Sequence, residues 1–369
     1  MSDTNVEEMT PPMPRGLNVL LTLAAGIIVV AGIRAFSGTV GPVFLAFVVV
    51  VCVYPIRDVL TRRGAPGWAA TVALSLAAFG VLAAVLGALI WSASELAGLV
   101  TSDEYSGQLQ QAQEDIADLA TELGASGGDL ENAVDSIDLA SVAGQLTAAL
   151  SGILGVFSAL GVLVLTLVFV VLDAGKFSEN LRHVATERPA IAEGLGNFAS
   201  TTRSYFVVSS IFGLIVAIFD TVALFALGIP LALVWGLLSL ITNYIPNIGF
   251  VIGLVPPTLL AFLEGGWSLA LWVIIIYSTL NVIIQSVIQP KFVGDAVGLS
   301  VTLTFVSLLF WGWVLGPLGA LLAVPLTLLA KALLIDIDPT TQWASPLIAL
   351  DRRPPPESLP FAGQSDSGE

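Results

Sequence analysis

Charge is what this sequence has least of. Of its 369 residues, 28 are acidic and 13 basic, so 11% are charged while 56% are hydrophobic. A soluble chain carries about a quarter charged residues, and this one has too few to cover a water-exposed surface. Histidine and cysteine occur once each, as His183 and Cys52. Those single copies exclude a disulfide framework and a Cys/His metal cluster. Cys52 stands in an apolar run and reads as packing, and His183 stands among charged residues and reads as surface. Gly175-Lys176 lacks the preceding glycine spacing and the following Ser or Thr of a phosphate loop. ATP-driven transport by this chain alone is therefore not indicated. A net charge of −15 excludes nucleic acid as a partner. An intramembrane enzyme would need two aspartates or a His-Glu zinc set within apolar segments, and Asp220 is the one acid found deep in such a segment. No enzyme, cofactor or metal is expected.

Long apolar runs are what the sequence has instead. They lie at about 17–36, 39–55, 68–92, 150–172, 205–227, 231–263, 267–288 and 301–335. Runs of about 18 or more apolar residues read as membrane helices. The expected fold is all-α, a polytopic integral membrane protein of about eight membrane helices. Alternating segments of a membrane β-barrel are absent from the sequence. The first run follows Asp3, Glu7 and Glu8 rather than a basic flank, so it reads as a retained anchor and not a cleaved signal.

The few basic residues are unevenly placed. Arg15, Arg57, Arg62, Arg63, Lys176, Arg182, Arg188, Arg203, Lys291, Lys331, Arg352 and Arg353 fall between or beyond the apolar runs, and Arg34 alone stands apart. No basic residue occurs between Gly64 and Gly175, whereas eleven acids fall from Glu95 to Asp138. The positive-inside rule then predicts a cell-membrane protein with both termini, the 56–67 loop, the 173–204 linker and the 289–300 loop in the cytoplasm. Residues 1–16 form a cytoplasmic tail, 17–336 the membrane domain and 337–369 a polar, Pro-rich tail read as disordered. The acidic insert 95–149 lies outside. Leu109, Ala112, Ile116, Leu119 and Leu123 repeat there at three and four, the pattern of an amphipathic helix. It reads as a solvated cap, with a cation-attracting vestibule as the alternative.

That orientation forces two segments to double back. Residues 228–266 leave and return on the outer side, with a turn near Pro246–Gly249. Residues 301–335 start and end inside, and their strong breaker is Gly316-Pro317-Leu318-Gly319. Both read as broken or re-entrant helical hairpins. Their strings, NYIPNIGFVIGLVPPTLLA over 243–261 and GWVLGPLGALLAVPLTLLA over 312–330, share glycine breakers and a Thr-Leu-Leu-Ala ending. An internal repeat and chance matching of apolar sequence both explain this. Paired Gly/Pro-interrupted apolar segments point to a transporter's binding site, because lipid cannot satisfy their exposed peptide groups. Close packing through Gly249 and Gly253, or Gly312 and Gly316, is the alternative.

These residues also carry a family resemblance. Gly228-Ile-Pro230, Asn243-Tyr-Ile-Pro-Asn-Ile-Gly249, Ile288-Gln-Pro-Lys-Phe-Val-Gly294 and the long string from Leu309 to Pro325 resemble the AI-2E family, the autoinducer-2 exporter-like membrane proteins. The match spans about 17–335, and Asp220 stands outside the motifs that carry it. The resemblance implies about eight membrane helices, secondary transport and a homo-oligomer, with a pentamer as the expected form. It also implies a cargo that is either an autoinducer-2-like polar solute or Na⁺ exchanged for H⁺.

Candidate pathway residues follow from both lines. Asp220 lies about 24 Å along its helix from Ser204. A charge at such depth costs at least ~2.5 kcal/mol, so it reads as a proton or cation relay, or as a carboxyl bonded to Thr221 or a neighbouring helix. Ser278, Asn281, Gln285 and Gln289 fall on one helical face, facing Asn243 and Asn247 across a cavity or simply bonding helix to helix. Pro246, Gly249, Gly253, Gly316, Pro317 and Gly319 complete the set through their backbones. Membrane lipid and a small polar solute or Na⁺/H⁺ are the expected partners. The excess of acids and of arginine over lysine fits a halophilic archaeon, where salt screens self-repulsion. A secondary transporter is the leading functional reading, and a non-transporting oligomeric scaffold or regulator is the alternative.

Overall fold

The computed structural model describes residues 15–100, 139–246, 248–289, 299–338 and 340–341. Those residues contain helices and no strand, as apolar runs without period-two alternation require. α1 (Arg15–Ala35) and α2 (Ser37–Val53) meet at Phe36, and α3 (Pro55–Arg62) follows with proline at its first turn. α4 is Gly67–Val100, α5 Leu139–Glu187 and α6 Pro189–Ala226. α7 (Ala232–Thr242) and α8 (Gly249–Asn281, continued by a π-helical turn Val282–Ile288) form the first hairpin. α9 (Val301–Leu315), α10 (Pro317–Leu321) and α11 (Ala323–Lys331, with a π turn Ala332–Asp336) form the second. The amphipathic insert helix, residues 1–14 and residues 342–369 lie outside the described residues.

Five of the described helices are long and apolar enough to cross a membrane: Ser37–Arg62, Gly67–Ser92, Gly161–Glu187, Pro189–Ala226 and Gly249–Gln285. Shorter apolar helices occupy Leu20–Ala35, Ala232–Thr242 and Val301–Leu315. This is an all-α, multi-pass membrane protein, in which the expected segments 231–263 and 267–288 share the kinked helix α8 and the expected segment 301–335 divides into α9, α10 and α11. The segment 173–204, read from the sequence as a linker helix pair about Pro189, holds the ends of two long helices. α5 and α6 run through it and break only at Arg188, whose φ of −137° and ψ of 75° are followed by Pro189.

Two backbone devices set the first hairpin. α6 ends on Gly228 at φ +72°, where the Ile229 N–H donates to the Leu224 carbonyl (3.0 Å) and the Gly228 N–H to that of Phe225 (3.1 Å). This left-handed stop places Ile229 against Leu224 in one apolar cluster. At the other foot, Gly265 and Gly266 (φ +65°) interrupt α8, dividing it into a first half that pairs with α7 and a second half that runs on to Asn281. Pro256 and Pro257 within the first half carry no N–H, so the carbonyls of Ile252 and Gly253 lose their helical donors. The cluster holding these pieces together comprises Leu224, Trp235, Leu260, Val273 and Tyr277 among others.

The second hairpin sits elsewhere. Val314, Leu315, Leu322 and Leu326 pack on Val48 of α2, and Val324 and Leu328 pack on Phe198 of α6. Gly316 turns the chain at φ +70°. Arg34, the basic residue that stood apart in the sequence, lies over the Trp313 ring at 4.0 Å.

Candidate functional site

A polar seam runs where α6, α7 and the second half of α8 meet. The buried positions Ser209, Gly213, Val216, Ala217 and Asp220 make one face of α6, Gly236 and Ser239 lie on the facing side of α7, and Thr242 faces α8. Missing side chains allow the approach. A Cβ at Gly236 would strike Thr221 Oγ1, and one at Gly213 would stand 2.8 Å from Asn243 Nδ2. A Cβ at Gly249 would strike the Thr242 carbonyl oxygen, and one at Gly253 would meet Thr242 Oγ1 at 3.1 Å. Gly249 and Gly253, expected as pathway residues, therefore act here by letting the first half of α8 lie against α7.

Asp220 is fully buried. The Ser239 hydroxyl donates to its Oδ2 at 2.6 Å, so its partner is on a neighbouring helix. Thr221 instead donates to the Ala217 carbonyl at 2.7 Å. Asp220 Oδ1 has no hydrogen-bond partner, and neither has the buried hydroxyl of Tyr277 on α8.

Nearer the hairpin tip, the expected amides meet. Gln285 Nε2 donates to Asn281 Oδ1 (2.7 Å) and to Asn243 Oδ1 (2.9 Å). Asn243 Nδ2 donates to the Ser209 carbonyl (2.9 Å), and Asn281 Nδ2 to that of Tyr277 (2.9 Å). Gln285 lies within the π-helical turn, a local departure from the α-helix often found at functional sites. Ser278 and Gln289 are half-buried and do not join this chain of bonds. Pro246 is half-buried in the tip, and its carbonyl accepts from the Ile248 N–H at 2.8 Å. Asn247 lies outside the described residues.

Gly316, Pro317 and Gly319 are placed away from this seam. A Cβ at Gly319 would strike the Trp311 carbonyl oxygen, so that glycine closes the second hairpin on itself. The hairpin's polar bond runs from Trp311 Nε1 to Thr327 Oγ1 at 3.0 Å.

Several residues at the seam were not singled out in the sequence. Ser239 holds Asp220, and Tyr244 anchors the tip. The Tyr244 carbonyl accepts from the Tyr205 hydroxyl (2.7 Å), its own hydroxyl shares a hydrogen bond with Ser210 (2.7 Å), and its ring stands 5.6 Å from that of Phe206. The available signal was the spacing of Ser239 and Asn243, which puts both on the face of α7 that carries Gly236. Chemically, this set offers one carboxyl, three amides and several hydroxyls. It can hydrogen-bond a neutral polar solute, or hold and release a proton or cation.

Broken helices enclosing a polar seam in an otherwise apolar bundle are a transporter's arrangement, and comparison with known proteins agrees. The family model described as AI-2E family transporter matches residues 17–338. The chain belongs to the AI-2E transporter family. Among its relatives in that family, the putative transport protein YhhT of Escherichia coli K12 is 28% identical over 326 residues, covering 88% of this chain and 92% of that protein. The AI-2 transport protein TqsA of the same organism is 29% identical over 321 residues, with 86% and 91% covered. A putative transport protein of Haemophilus influenzae is 29% identical over 340 residues, with 90% and 97% covered. The AI-2E family is a family of membrane transporters.

Proposed function

We propose that this protein is a secondary transporter of the cell membrane that exports a small, polar, uncharged solute of the autoinducer-2 kind along the seam between α6, α7 and α8. The observation that carries this reading is the linked set Ser209, Asn243, Gln285 and Asn281, with Asp220 and Ser239 beside it, inside a bundle otherwise packed with aliphatic side chains. Amides and hydroxyls match a neutral polyol, which needs donors and acceptors and no countercharge. The relative named an AI-2 transport protein supports the same solute class.

The 11 residues of α7 span about 16 Å, roughly half of a ~30 Å hydrocarbon core. Segment 228–266 is thus read as a re-entrant hairpin, with its feet at Gly228 and Gly266 outside and its tip at Asn243–Ile248 pointing inward. The basic residues on the 56–67 and 173–204 segments support cytoplasmic termini. The tip residues would then face the cytoplasm as the pathway opens.

A second reading, exchange of Na⁺ for H⁺, is favoured by Asp220, the single carboxyl in the seam. The homo-oligomer, with five subunits as its proposed number, and the salt-adapted origin belong to this proposal and rest on the resemblance and the acidic composition. A non-transporting scaffold is the rival class. Flux in proteoliposomes of the full chain separates them. An autoinducer-2-like polyol and ²²Na⁺ are each measured against imposed Na⁺ and pH gradients. Gradient-dependent polyol flux is expected, Na⁺ flux without it selects the second reading, and a folded protein that moves neither is a scaffold.

A further inference from the structure

We propose that Asp220 Oδ1 and the Tyr277 hydroxyl together hold a single hydroxyl group, supplied by a water molecule or by the transported polyol. The proposal deepens the reading above and rests on it for the role in transport, while the binding itself stands on geometry. Three observations meet. Asp220 is 0% exposed and Tyr277 1% exposed, so both polar atoms are cut off from bulk water. Each lacks a hydrogen-bond partner within the protein. Leu224 and Trp235, each one turn along its helix from Asp220 and Ser239, pack in one cluster with Tyr277, so the two orphaned atoms belong to one region, yet they are not bonded to each other.

Two orphaned polar atoms facing one region are rare in folded proteins and ask for a guest. The bonding pattern names its chemistry. Ser239 already occupies Oδ2, which leaves Oδ1 as an acceptor, and a tyrosine hydroxyl can donate as well as accept. A hydroxyl group satisfies both, giving its proton to Oδ1 and accepting that of Tyr277. A bare cation cannot accept the tyrosine proton and needs several further oxygen ligands. Leu224, Trp235, Leu260 and Val273, which pack with Tyr277, bring no oxygen of their own. An apolar group satisfies neither atom. Tyr277 is also tied to the amide set, because its carbonyl accepts from Asn281 Nδ2 at 2.9 Å. A guest here would therefore sit at the outer end of the same seam.

Infrared difference spectroscopy of the full chain in lipid nanodiscs tests this without any flux measurement. The carboxyl stretch of Asp220 is assigned by its loss in D220N. Its position is then compared in wild type and Y277F, with and without xylitol, and in NaCl against choline chloride. A shift in Y277F with no solute present identifies bound water and supports the site. A shift on adding xylitol to wild type that is lost in Y277F identifies the polyol hydroxyl and supports it equally. A band unchanged by Y277F and by xylitol overturns it, as does a response to Na⁺ in both proteins. Should Y277F fail to assemble, wild type in H₂¹⁸O must show an isotope-shifted hydroxyl band that D220N removes, and its absence overturns the site. Success here combined with no flux in proteoliposomes would sink only the transport reading.

Discussion

The first hairpin turns Ser239 and Asn243 toward α6, whereas the second presents Val314, Leu315, Leu322 and Leu326 to α2. Their sequences share a rhythm of glycine breaker, proline and Thr-Leu-Leu-Ala, and both use a glycine to let one backbone press on another. Gly249 does so beneath the Thr242 carbonyl and Gly319 beneath the Trp311 carbonyl. What differs is the surface each one folds against. The first meets Ser209, Ser210 and Asp220 of α6, and the second meets Val48 of α2 and Phe198 near the start of α6. The breaker pattern builds a hairpin, and the neighbouring helix decides whether its inside is polar or dry.

The strongest way to break this comparison is to attack what the hairpins share. Gly249→Leu and Gly319→Leu each drive a side chain into a backbone carbonyl, and overpacking costs typically ~1–3 kcal/mol even where neighbours can shift. Both variants are expected to lose most of their monodisperse protein on size-exclusion chromatography. Survival of either would show that its close approach is dispensable.

The next effect should separate the hairpins. Asn243→Ala with Gln285→Ala removes the amide bridge, and we expect polyol flux to fall at least about tenfold, with interhelical bonds worth only about 0.6 kcal/mol each leaving assembly intact. Asn247→Ala with Gln285→Ala tests the amide expected from the sequence in the same assay. Normal flux from these folded double variants would remove the amides from the pathway.

A third variant asks what Asp220 does in the seam. Asp220→Asn keeps the shape and can still accept from Ser239, yet it cannot titrate. Tyr277 on α8 is the other titratable group facing it. If Asp220 relays protons, flux in this variant becomes independent of pH across the range where wild type responds. An unchanged pH profile makes Asp220 a structural carboxyl.

The smallest effect is expected in the dry hairpin. Thr327→Ala deletes the bond from Trp311 Nε1, at a cost of about 0.6 kcal/mol, and flux should stay within about twofold of wild type. A large loss of flux with normal thermal stability would bring the second hairpin into the pathway.

Much of the helix content was readable because apolar runs of membrane length leave few alternatives. Gln285 and Asn281 were readable as partners, since a spacing of four puts them on one face and their bond is local. Asn243 was identified by its residue type, and its meeting with Gln285 requires the turn at 243–248 to bring α7 back to α8. The Asp220–Ser239 bond was not readable. It spans 19 residues of sequence and depends on Gly228 stopping α6 in a left-handed turn and on Gly236 admitting Thr221. A helix pair about Pro189 was readable from the proline itself, whereas the continuity of each helix with its apolar span, in α5 and in α6, was not.

By itself the sequence determined the solvent this protein lives in and where its helices break, because a chain this poor in charge cannot hold a water-facing surface and glycine with proline cannot continue a helix. Which breaks enclose polar groups was decided only by the tertiary structure. A buried carboxyl or amide is tolerated only where another helix brings it a partner, and no local spacing says which helix that will be.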